Sequence, residues 1–305
     1  MTHRLTTRLT STLILVIVLS CALLVAGTST AAAASIEARV AKVVRTSGVS
    51  GISSVYVWDQ ETRRVVYTSN ASRQVTPAST MKLLTSAAAL ARFGPEHRFE
   101  TKLALNGTQH GSVFVGDVWI IGGGDPSLST GGFARDNLGG RGANIARLTR
   151  PLRTRGISTI RGRIRVDDGM LDRVRWVPEW KSAFRFKESG ALGALTVNKS
   201  ATGRWTGVGV SRVPEIHAGE TYRAMLRRDG IQVTGKIRRG TVPERAEPAG
   251  RILSPPLSTL VSHMNSASDN FYAEILLKNI GADRYGTEAD GSTRQGRLAA
   301  KAELE

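Results

Sequence analysis

The first 34 residues constrain the fold most, because they have the pattern of an export signal. Only the residues after them are then left to form the folded protein. Arg4 and Arg8 precede an apolar run, Leu13–Ala26, and small residues follow as far as Ala34. This order is typical of a secretory signal peptide with an Ala-x-Ala cleavage site. The apolar run is shorter than the ~20 residues that a membrane-spanning helix needs. We therefore predict an exported protein, extracellular, in the cell wall or periplasmic, with a membrane as partner only through an uncleaved signal.

Cysteine and histidine usage limits the chemistry of the exported chain. Cys21 is the only cysteine, and it lies inside the predicted signal. Its removal with the signal excludes disulfides, cysteine catalysis and thiolate metal sites. The histidines show no metal-ligand spacing; they are His3, His97, His110, His217 and His263. We expect no metal site and no cofactor.

A formal net charge of +17 gives the chain an attraction for polyanions. The arginines are scattered, without the clustered basic and aromatic residues or the reader motif of a nucleic-acid binder. Export would also separate the protein from the chromosome, so we expect no nucleic acid as partner. A solvated basic surface and contact with anionic cell-wall polymers remain as two interpretations of the charge.

Ser79 and Lys82 are the first candidate catalytic residues. Pro77 predicts the start of a helix that runs to about Phe93, and residues three apart on a helix share a face. A serine hydroxyl is a weak nucleophile until a base takes its proton. A lysine amine can be that base where burial lowers its pKa. Taken alone, however, this spacing is better explained by a capping serine and a solvated lysine.

The predicted helix would also supply the surroundings of these two side chains. Leu83, Leu84, Ala87 and Ala88 would give the lysine an apolar setting. With Ser79 in the first turn, free backbone N–H groups would point at a developing oxyanion. We therefore expect a buried amine beside an anion-binding helix start.

Ser268, Asp269 and Asn270 form a second candidate group, in a tight polar link between two predicted helices, Leu257–Met264 and Phe271–Ile280. The simpler interpretation is that Ser268 or Asp269 caps the following helix. On such a link, the Ser268 hydroxyl could also relay a proton to a leaving amine. The Asn270 amide could hold the lysine and the substrate.

Three motifs together resemble a known family. Ser-x-x-Lys followed by Ser-Asp-Asn is the pattern of penicillin-binding proteins and class A β-lactamases. Pro77–Lys82, Gly123–Leu128 and Ser268–Glu274 resemble the D-alanyl-D-alanine carboxypeptidase/endopeptidase family of serine peptidases typified by penicillin-binding protein 4. The long interval between the first and last of these motifs fits this family, whose members insert domains there, better than it fits class A β-lactamases.

The resemblance implies an activity and a role for each site residue. Ser79 would be acylated, Lys82 would be its base, and Ser268 with Asn270 would complete the proton relay. The substrate would be the D-Ala-D-Ala end, or a cross-link, of a peptidoglycan stem peptide, and β-lactams would acylate Ser79 as mimics of it. The implied enzyme is a penicillin-binding, serine-type D-Ala-D-Ala carboxypeptidase/endopeptidase without a cofactor.

One motif of the family is missing from the sequence. The third motif, Lys-Thr-Gly, is absent, and Thr234-Gly235-Lys236 has another order and precedes the second motif. In the family the third motif lies beyond the point where this chain stops, and its strand supplies an oxyanion donor and a cation for the substrate carboxylate. The resemblance thus implies a C-terminally incomplete chain. The alternative function is a catalytically impaired or inactive wall-binding fragment of the family.

The resemblance and the local patterns together imply an α+β fold. After a signal at residues 1–34, we expect residues 35–100 and 255–305 to form an incomplete catalytic domain. This domain would have a β-lactamase/transpeptidase-like antiparallel sheet with helices. Residues 101–254 would form an inserted, β-rich domain.

Local signals place several element boundaries. Asn106-Gly107 predicts the turn between two strands, Phe99–Leu105 and Ser112–Ile121. Gly281 predicts the end of the helix that starts at Phe271. Between residues 129 and 254 we expect Gly- and Arg-rich loops with short strands.

Overall fold

The structure, a computed structural model, describes residues 36–49, 51–203, 209–286 and 291–305. The predicted signal peptide, residues 1–34, lies outside these ranges. The chain divides into two compact units, Met1–Pro77 and Ala78–Glu305. In the described ranges, no helix is both long and apolar enough to cross a membrane.

A helix and a hairpin make up the described part of the first unit. Residues 36–46 form α1, and β1 (Val55–Asp59) pairs antiparallel with β2 (Arg64–Ser69). The Asp59 carboxylate accepts hydrogen bonds from two backbone N–H groups of the intervening turn, at 2.9 and 3.3 Å. An acidic side chain that bonds the backbone just after it is a common way to close a turn. The Asp59 side chain therefore holds the turn of this hairpin.

Strands and helices are mixed along the second unit, and the predicted α+β class is confirmed. The strands are β3 (Glu100–His110), β4 (Val113–Ile121), β5 (Leu128–Ser129), β6 (Ala143–Asn144), β7 (Thr159–Arg161), β8 (Ile164–Asp167), β9 (Gln232–Val233), β10 (Arg238–Arg239) and β11 (Glu247–Leu253). The α-helices are α2 (Met81–Phe93), α3 (Gly131–Asn137), α4 (Arg150–Thr154), α5 (Ser182–Lys187), α6 (Pro214–Arg228), α7 (Leu257–Ser266), α8 (Asn270–Tyr285) and α9 (Thr293–Leu304).

The large sheet of the second unit is mixed, and its strands lie between Glu100 and Leu253. Its order is β10-β8-β4-β3-β11, and β7 joins β4 to β9. β3 pairs antiparallel with β4 and β11, whereas β4 pairs parallel with β7 and β8. Parallel neighbours need long crossover connections, which here contain α3 and α4 before β7 and α6 before β9. Helix α6 lies in the range, residues 129–254, where we expect loops and short strands. Pro214 at its first position is a helix-start signal that could have indicated it.

Two hydrophobic cores stabilise the second unit. One core lies largely among α2, α7, α8 and α9 and includes Ala88 and Phe271, which are 0 % and 1 % exposed. The other includes residues of the sheet and of α6, among them Ile120 and Tyr222, both 0 % exposed. The predicted site residues lie in the helices of the first core or in the turns that immediately precede them. The domain boundaries at residues 101 and 254 stay a prediction.

Two glycine-based predictions are wrong, because both glycines serve close packing. β3 runs through Asn106-Gly107, and the chain turns at Gly111 instead. Gly107 lies opposite Gly116 in the register, where a Cβ on either residue would meet the backbone of the other strand. Likewise α8 continues past Gly281, which packs against α9.

Replacing Gly281 with alanine should force α8 away from α9. A Cβ at this position would lie 2.6 Å from the backbone nitrogen of Gly296, and overpacking of this kind costs about 1–3 kcal/mol. We expect Gly281→Ala to lower the thermal midpoint by several degrees, despite the higher helix propensity of alanine. Gly132→Ala in α3 is the control, because its Cβ would meet nothing closer than 3.9 Å. Equal midpoints for Gly281→Ala and the wild type would contradict the close crossing.

Candidate active site

The candidate site lies within the second unit, at the N-terminal end of α2. Ser79 lies in a turn two residues before Met81, where α2 begins, and Lys82 is the second residue of the helix. The backbone N–H of Lys82 donates to the Ser79 carbonyl at 3.0 Å. The side chains meet as well, with Lys82 Nζ 3.1 Å from Ser79 Oγ. Ser79 is exposed, whereas Lys82 is only 8 % exposed.

The link between α7 and α8 reaches the same point. Ser268 has a φ of 52°, in the left-handed region that lets a single residue turn the chain sharply. Its hydroxyl donates to Ser79 Oγ at 2.8 Å and lies 3.5 Å from Lys82 Nζ. Asn270 Oδ1 accepts a hydrogen bond from Lys82 Nζ at 2.6 Å. The structure thus brings Ser79, Lys82, Ser268 and Asn270 together, although 188 positions separate Lys82 from Asn270 in the sequence.

Asp269 has a different task from its two neighbours. Its side chain caps α8 by accepting a hydrogen bond from the Tyr272 N–H at 3.2 Å, as the capping interpretation of this motif predicts. The second carboxylate oxygen pairs with Lys199 and lies 3.2 Å from His263 Nε2. One carboxylate therefore contacts the start of α8, the helix α7 and the segment 198–200.

The charges around the amine act in opposite directions. Burial lowers the pKa of Lys82, whereas the negative charges of Asp269 and Glu274 oppose that shift. A lysine with a lowered pKa can accept a proton from a neighbouring hydroxyl. Burial alone would raise the pKa of Asp269, but the hydrogen bond from His263 and the ion pair with Lys199 outweigh it and lower this pKa to about 2.

One expectation about the surroundings of the site is wrong. Leu83 and Leu84 are 58 % and 49 % exposed and Ala87 is exposed too, so of the four flanking residues only Ala88 is buried. The amine is enclosed instead by the polar oxygens of the α7–α8 link. The backbone N–H groups of residues 81–83 donate to the carbonyls of residues 78–80. These three N–H groups are therefore paired within the turn, and an anion-binding helix start formed by the preceding N–H groups stays a prediction.

Some supporting contacts cannot be recognised from the motifs. Ser86 Oγ donates to the Lys82 carbonyl at 2.8 Å, and Asn265 Nδ2 donates to Ser86 Oγ at 3.0 Å, which ties α7 to α2. Lys199 reaches Asp269 across 70 positions of sequence. Asn265 is visible in the polar run before Ser268, but no local pattern identifies its partner. Only the folded chain reveals these pairs.

The Gly123–Leu128 motif follows β4 and packs against α8. Asn279 Nδ2 donates to the Gly124 carbonyl at 2.8 Å, and a side chain at Gly124 would collide with Asn279. Asp125 Oδ1 accepts hydrogen bonds from the N–H and the hydroxyl of Ser127, at 2.8 and 2.7 Å, which closes the turn. The motif therefore connects the sheet with the helix that begins at the candidate site.

Acidic and histidine side chains do not form a metal-binding group in the part of the chain that the structure describes. Across those residues, no three or more His, Cys, Asp or Glu are placed to hold a metal ion. His263 instead contacts Asp269 and packs against the ring of Tyr272, with 4.6 Å between the ring centres. The absence of a cofactor stays a prediction.

A second feature of this unit is a basic groove with a volume of about 1080 Å³. The arginines that line it are Arg98, Arg147, Arg150, Arg153, Arg228 and Arg251. Arg228 pairs with Asp229, and Arg251 pairs with Glu100. Within the described residues, the side chains of the three arginines at positions 147, 150 and 153 are exposed and make no hydrogen bond or ion pair.

A protein-family comparison decides the family. The model of the D-Ala-D-Ala carboxypeptidase 3 (S13) family matches residues 33–186 and 192–305. The chain belongs to the S13 family. The resemblance found in the three sequence motifs is thereby confirmed.

Curated relatives of this chain are named as carboxypeptidases. It is 26 % identical over 307 residues to a D-alanyl-D-alanine carboxypeptidase of Actinomadura sp. (strain R39), a match that covers 77 % of this chain and 55 % of the relative. It is 27 % identical over 237 residues to the carboxypeptidase DacB of Mycolicibacterium smegmatis, covering 75 % and 48 %. The chain spans about half the length of the curated relatives it matches.

A solved structure supports the fold. The crystal structure of penicillin-binding protein 4 (DacB) from Haemophilus influenzae is similar to the S13 chain with a TM-score of 0.63 and 19 % identity. The match covers 82 % of this chain and 66 % of that one. At this identity the likeness shows the fold, and it agrees with the α+β class predicted from the sequence.

Asp269→Asn should destabilise the protein at neutral pH and weaken its acid sensitivity. The folded pKa of about 2 lies below the unfolded value of about 3.9. The ionised carboxylate therefore contributes stability above pH ~4 that is lost as the pH falls toward 2. We expect the free energy of unfolding, measured by urea denaturation, to fall by about 2 kcal/mol at pH 7 and by less at pH 3. Asp136→Asn, at an exposed position, is the control, and a pH-independent loss in Asp269→Asn would contradict this account.

Proposed function

We propose that this protein is a serine-type D-Ala-D-Ala carboxypeptidase/endopeptidase that acts on peptidoglycan stem peptides through an acyl-enzyme on Ser79. The observation that carries the proposal is the convergence of three oxygens, from Ser79, Ser268 and Asn270, on the buried amine of Lys82. Membership of the S13 family and the names of the relatives support the substrate class. An exported location, in the wall or the periplasm, and acylation by β-lactams are parts of the same proposal.

In the first half of the proposed reaction, Lys82 is the base. Its unprotonated amine takes the proton of the Ser79 hydroxyl while Ser79 Oγ attacks the carbonyl carbon of the scissile peptide bond. The separation of 3.1 Å allows direct proton transfer, and the lowered pKa of Lys82 favours the unprotonated form. Asn270 Oδ1 accepts one N–H of the amine, which helps to orient the nitrogen toward Ser79.

In the second half, Ser268 connects the lysine with the leaving group. Its hydroxyl lies within reach of both Lys82 Nζ and Ser79 Oγ. The proton held by Lys82 passes through Ser268 to the departing amine as the C–N bond breaks, which leaves an ester on Ser79. Water then hydrolyses the ester with the same groups acting in reverse. A β-lactam would follow the first steps, and its opened ring would remain on Ser79.

A fluorescent penicillin should label the folded protein covalently, and Ser79→Ala should abolish the label because the acylated oxygen is lost. Ser268→Ala keeps the nucleophile and the base, so we expect it to slow labelling by roughly 10²-fold or more. Ser266→Ala removes a nearby exposed hydroxyl at the end of α7 and should label normally. Gel fluorescence and mass spectrometry of the Ser79 peptide give the readout. Label on Ser79→Ala, or no label on folded wild type, would overturn the acyl-enzyme.

Binding to anionic cell-wall polymers is a second candidate function, and the basic groove favours it. Arg147, Arg150 and Arg153 present exposed guanidinium groups there, and guanidinium groups bind phosphate and carboxylate in a bidentate manner. In this alternative the protein holds the wall while its catalysis is impaired or lost.

Neutralising the groove should weaken binding to polymer-bearing cell walls more than an equal loss of charge elsewhere. We expect the triple variant Arg147→Gln, Arg150→Gln, Arg153→Gln to sediment several-fold less with walls that carry anionic polymers, and to show a weaker salt dependence. The control has the same charge change at other exposed arginines: Arg161→Gln, Arg238→Gln and Arg245→Gln. Equal losses in both triple variants would mean that net charge alone explains the binding.

A further inference from the structure

Lys199 lies beside the candidate site but belongs to none of its motifs. Its ammonium pairs with the carboxylate of Asp269, and its side chain is only 11 % exposed. Asp269 stands between Ser268 and Asn270, the two residues of the link that contact the catalytic amine. A substitution of Lys199 would therefore affect the candidate site through the carboxylate of Asp269.

The backbone that carries Lys199 has an uncommon conformation. Asn198, Lys199 and Ser200 have φ values of 53°, 52° and 64°, in the left-handed region that is unfavourable for residues other than glycine. Such strain persists only where surrounding contacts hold it, and it concentrates at functional sites. Asn198 Oδ1 accepts from the Thr130 N–H at 2.8 Å, and Ser200 Oγ donates to the Ala191 carbonyl at 3.0 Å. The two flanking residues thus anchor the turn that directs Lys199 toward Asp269.

Asp269 places a negative charge near the base. An ionised carboxylate close to an amine stabilises the protonated form of the amine, and Asp269 acts on Lys82 in this direction, against the effect of burial. A protonated Lys82 cannot accept the proton of Ser79. The charge of Asp269 therefore has to be balanced if Lys82 is to act as a base.

We propose that Lys199 is a positioning residue for this reaction: it neutralises and anchors Asp269, so that the carboxylate caps α8 without holding a proton on Lys82. The inference rests on the proposed function, in which Lys82 is the base. The contacts of the carboxylate fit this role, because one oxygen accepts the Tyr272 N–H and the other faces Lys199 and His263.

The titratable groups near Lys82 lie on several elements. Asp269 and Glu274 are on α8, His263 is on α7, and Lys199 is on the segment 198–200. Burial raises the pKa of Glu274, against an opposing hydrogen bond from Thr293, so Glu274 is less readily charged than Asp269. The balance of charge at the amine therefore depends chiefly on Asp269 and the cation that pairs with it.

Lys199→Met removes the cation and keeps an apolar side chain in its place. We expect the rising limb of the pH profile for acylation by a fluorescent penicillin to move to higher pH, because the unbalanced carboxylate favours the protonated amine. At neutral pH the acylation rate should fall about tenfold or more. Lys199→Arg retains the charge and should restore most of the rate. Lys301→Met, at an exposed lysine of α9, is the control and should keep the wild-type profile.

Asp269→Asn distinguishes charge balance from a merely structural role. Asparagine caps a helix about as well as aspartate does, but it carries no charge that needs a partner. In this background, Lys199→Met should move the pH profile little. A shift of the same size in both backgrounds would overturn the proposal, because Lys199 would then act independently of Asp269.

An NMR titration reads the protonation of Lys82 without any acylation. With ¹³C-labelled lysine, and the Lys82 signal assigned by its loss in Lys82→Arg, Lys199→Met should raise the pKa of Lys82 and Lys199→Arg should not. If penicillin labels the wild type but neither the profile nor the signal changes in Lys199→Met, this inference fails and the proposed function stands. If the wild type is not labelled but the signal shifts, the proposed function fails and the coupling of Lys199 to Lys82 stands.

Discussion

The hydrogen-bonded burial of the Lys82 amine is the interaction on which the candidate site depends. An amine hidden from water is stable only if its donors find acceptors, and an ammonium has three donors. Ser79 Oγ, Ser268 Oγ and Asn270 Oδ1 provide three oxygens around the nitrogen. Because these oxygens come from two distant parts of the chain, the same contacts that satisfy the amine also join α2 to the link between α7 and α8. The atoms proposed to transfer protons are therefore the same atoms that hold this part of the fold together.

Small residues and short polar contacts set the distances that this arrangement needs. Gly281 lets α8 approach α9, and Gly124 leaves room for Asn279, which donates a hydrogen bond to the Gly124 carbonyl in the segment after β4. Asn265 and Ser86 fasten α7 to α2 one turn below the amine. A site that transfers protons over about 3 Å tolerates little displacement of its side chains. The packing of the helices is thus a condition of the proposed reaction.

The sequence predicts the site better than its surroundings, for a physical reason. Residues 79–82 and 268–270 are short motifs that local rules alone explain as helix caps, and only their combination, through the family resemblance, predicts a shared site. The leucines after Lys82 were expected to bury it, but a helix exposes some of its faces, and the covering atoms come from elsewhere in the fold. Asn106-Gly107 is a good local turn signal, yet pairing of Gly107 with Gly116 in the sheet prevails over it. Contacts between residues distant in sequence therefore determine which side chains are buried and where the chain turns.

Asp269 takes part in both local and long-range contacts, and its negative charge has opposite effects on the helix cap and on Lys82. As the cap of α8 it benefits from a full negative charge at the positive end of the helix, but the same charge favours protonation of Lys82. Neutralising the carboxylate by protonation would weaken the cap, whereas pairing it with a cation preserves the cap and reduces the field at the amine. Lys199 provides that cation from the segment between the first and last motifs. On this reasoning, the segment predicted as an insertion contributes to the electrostatics of the site.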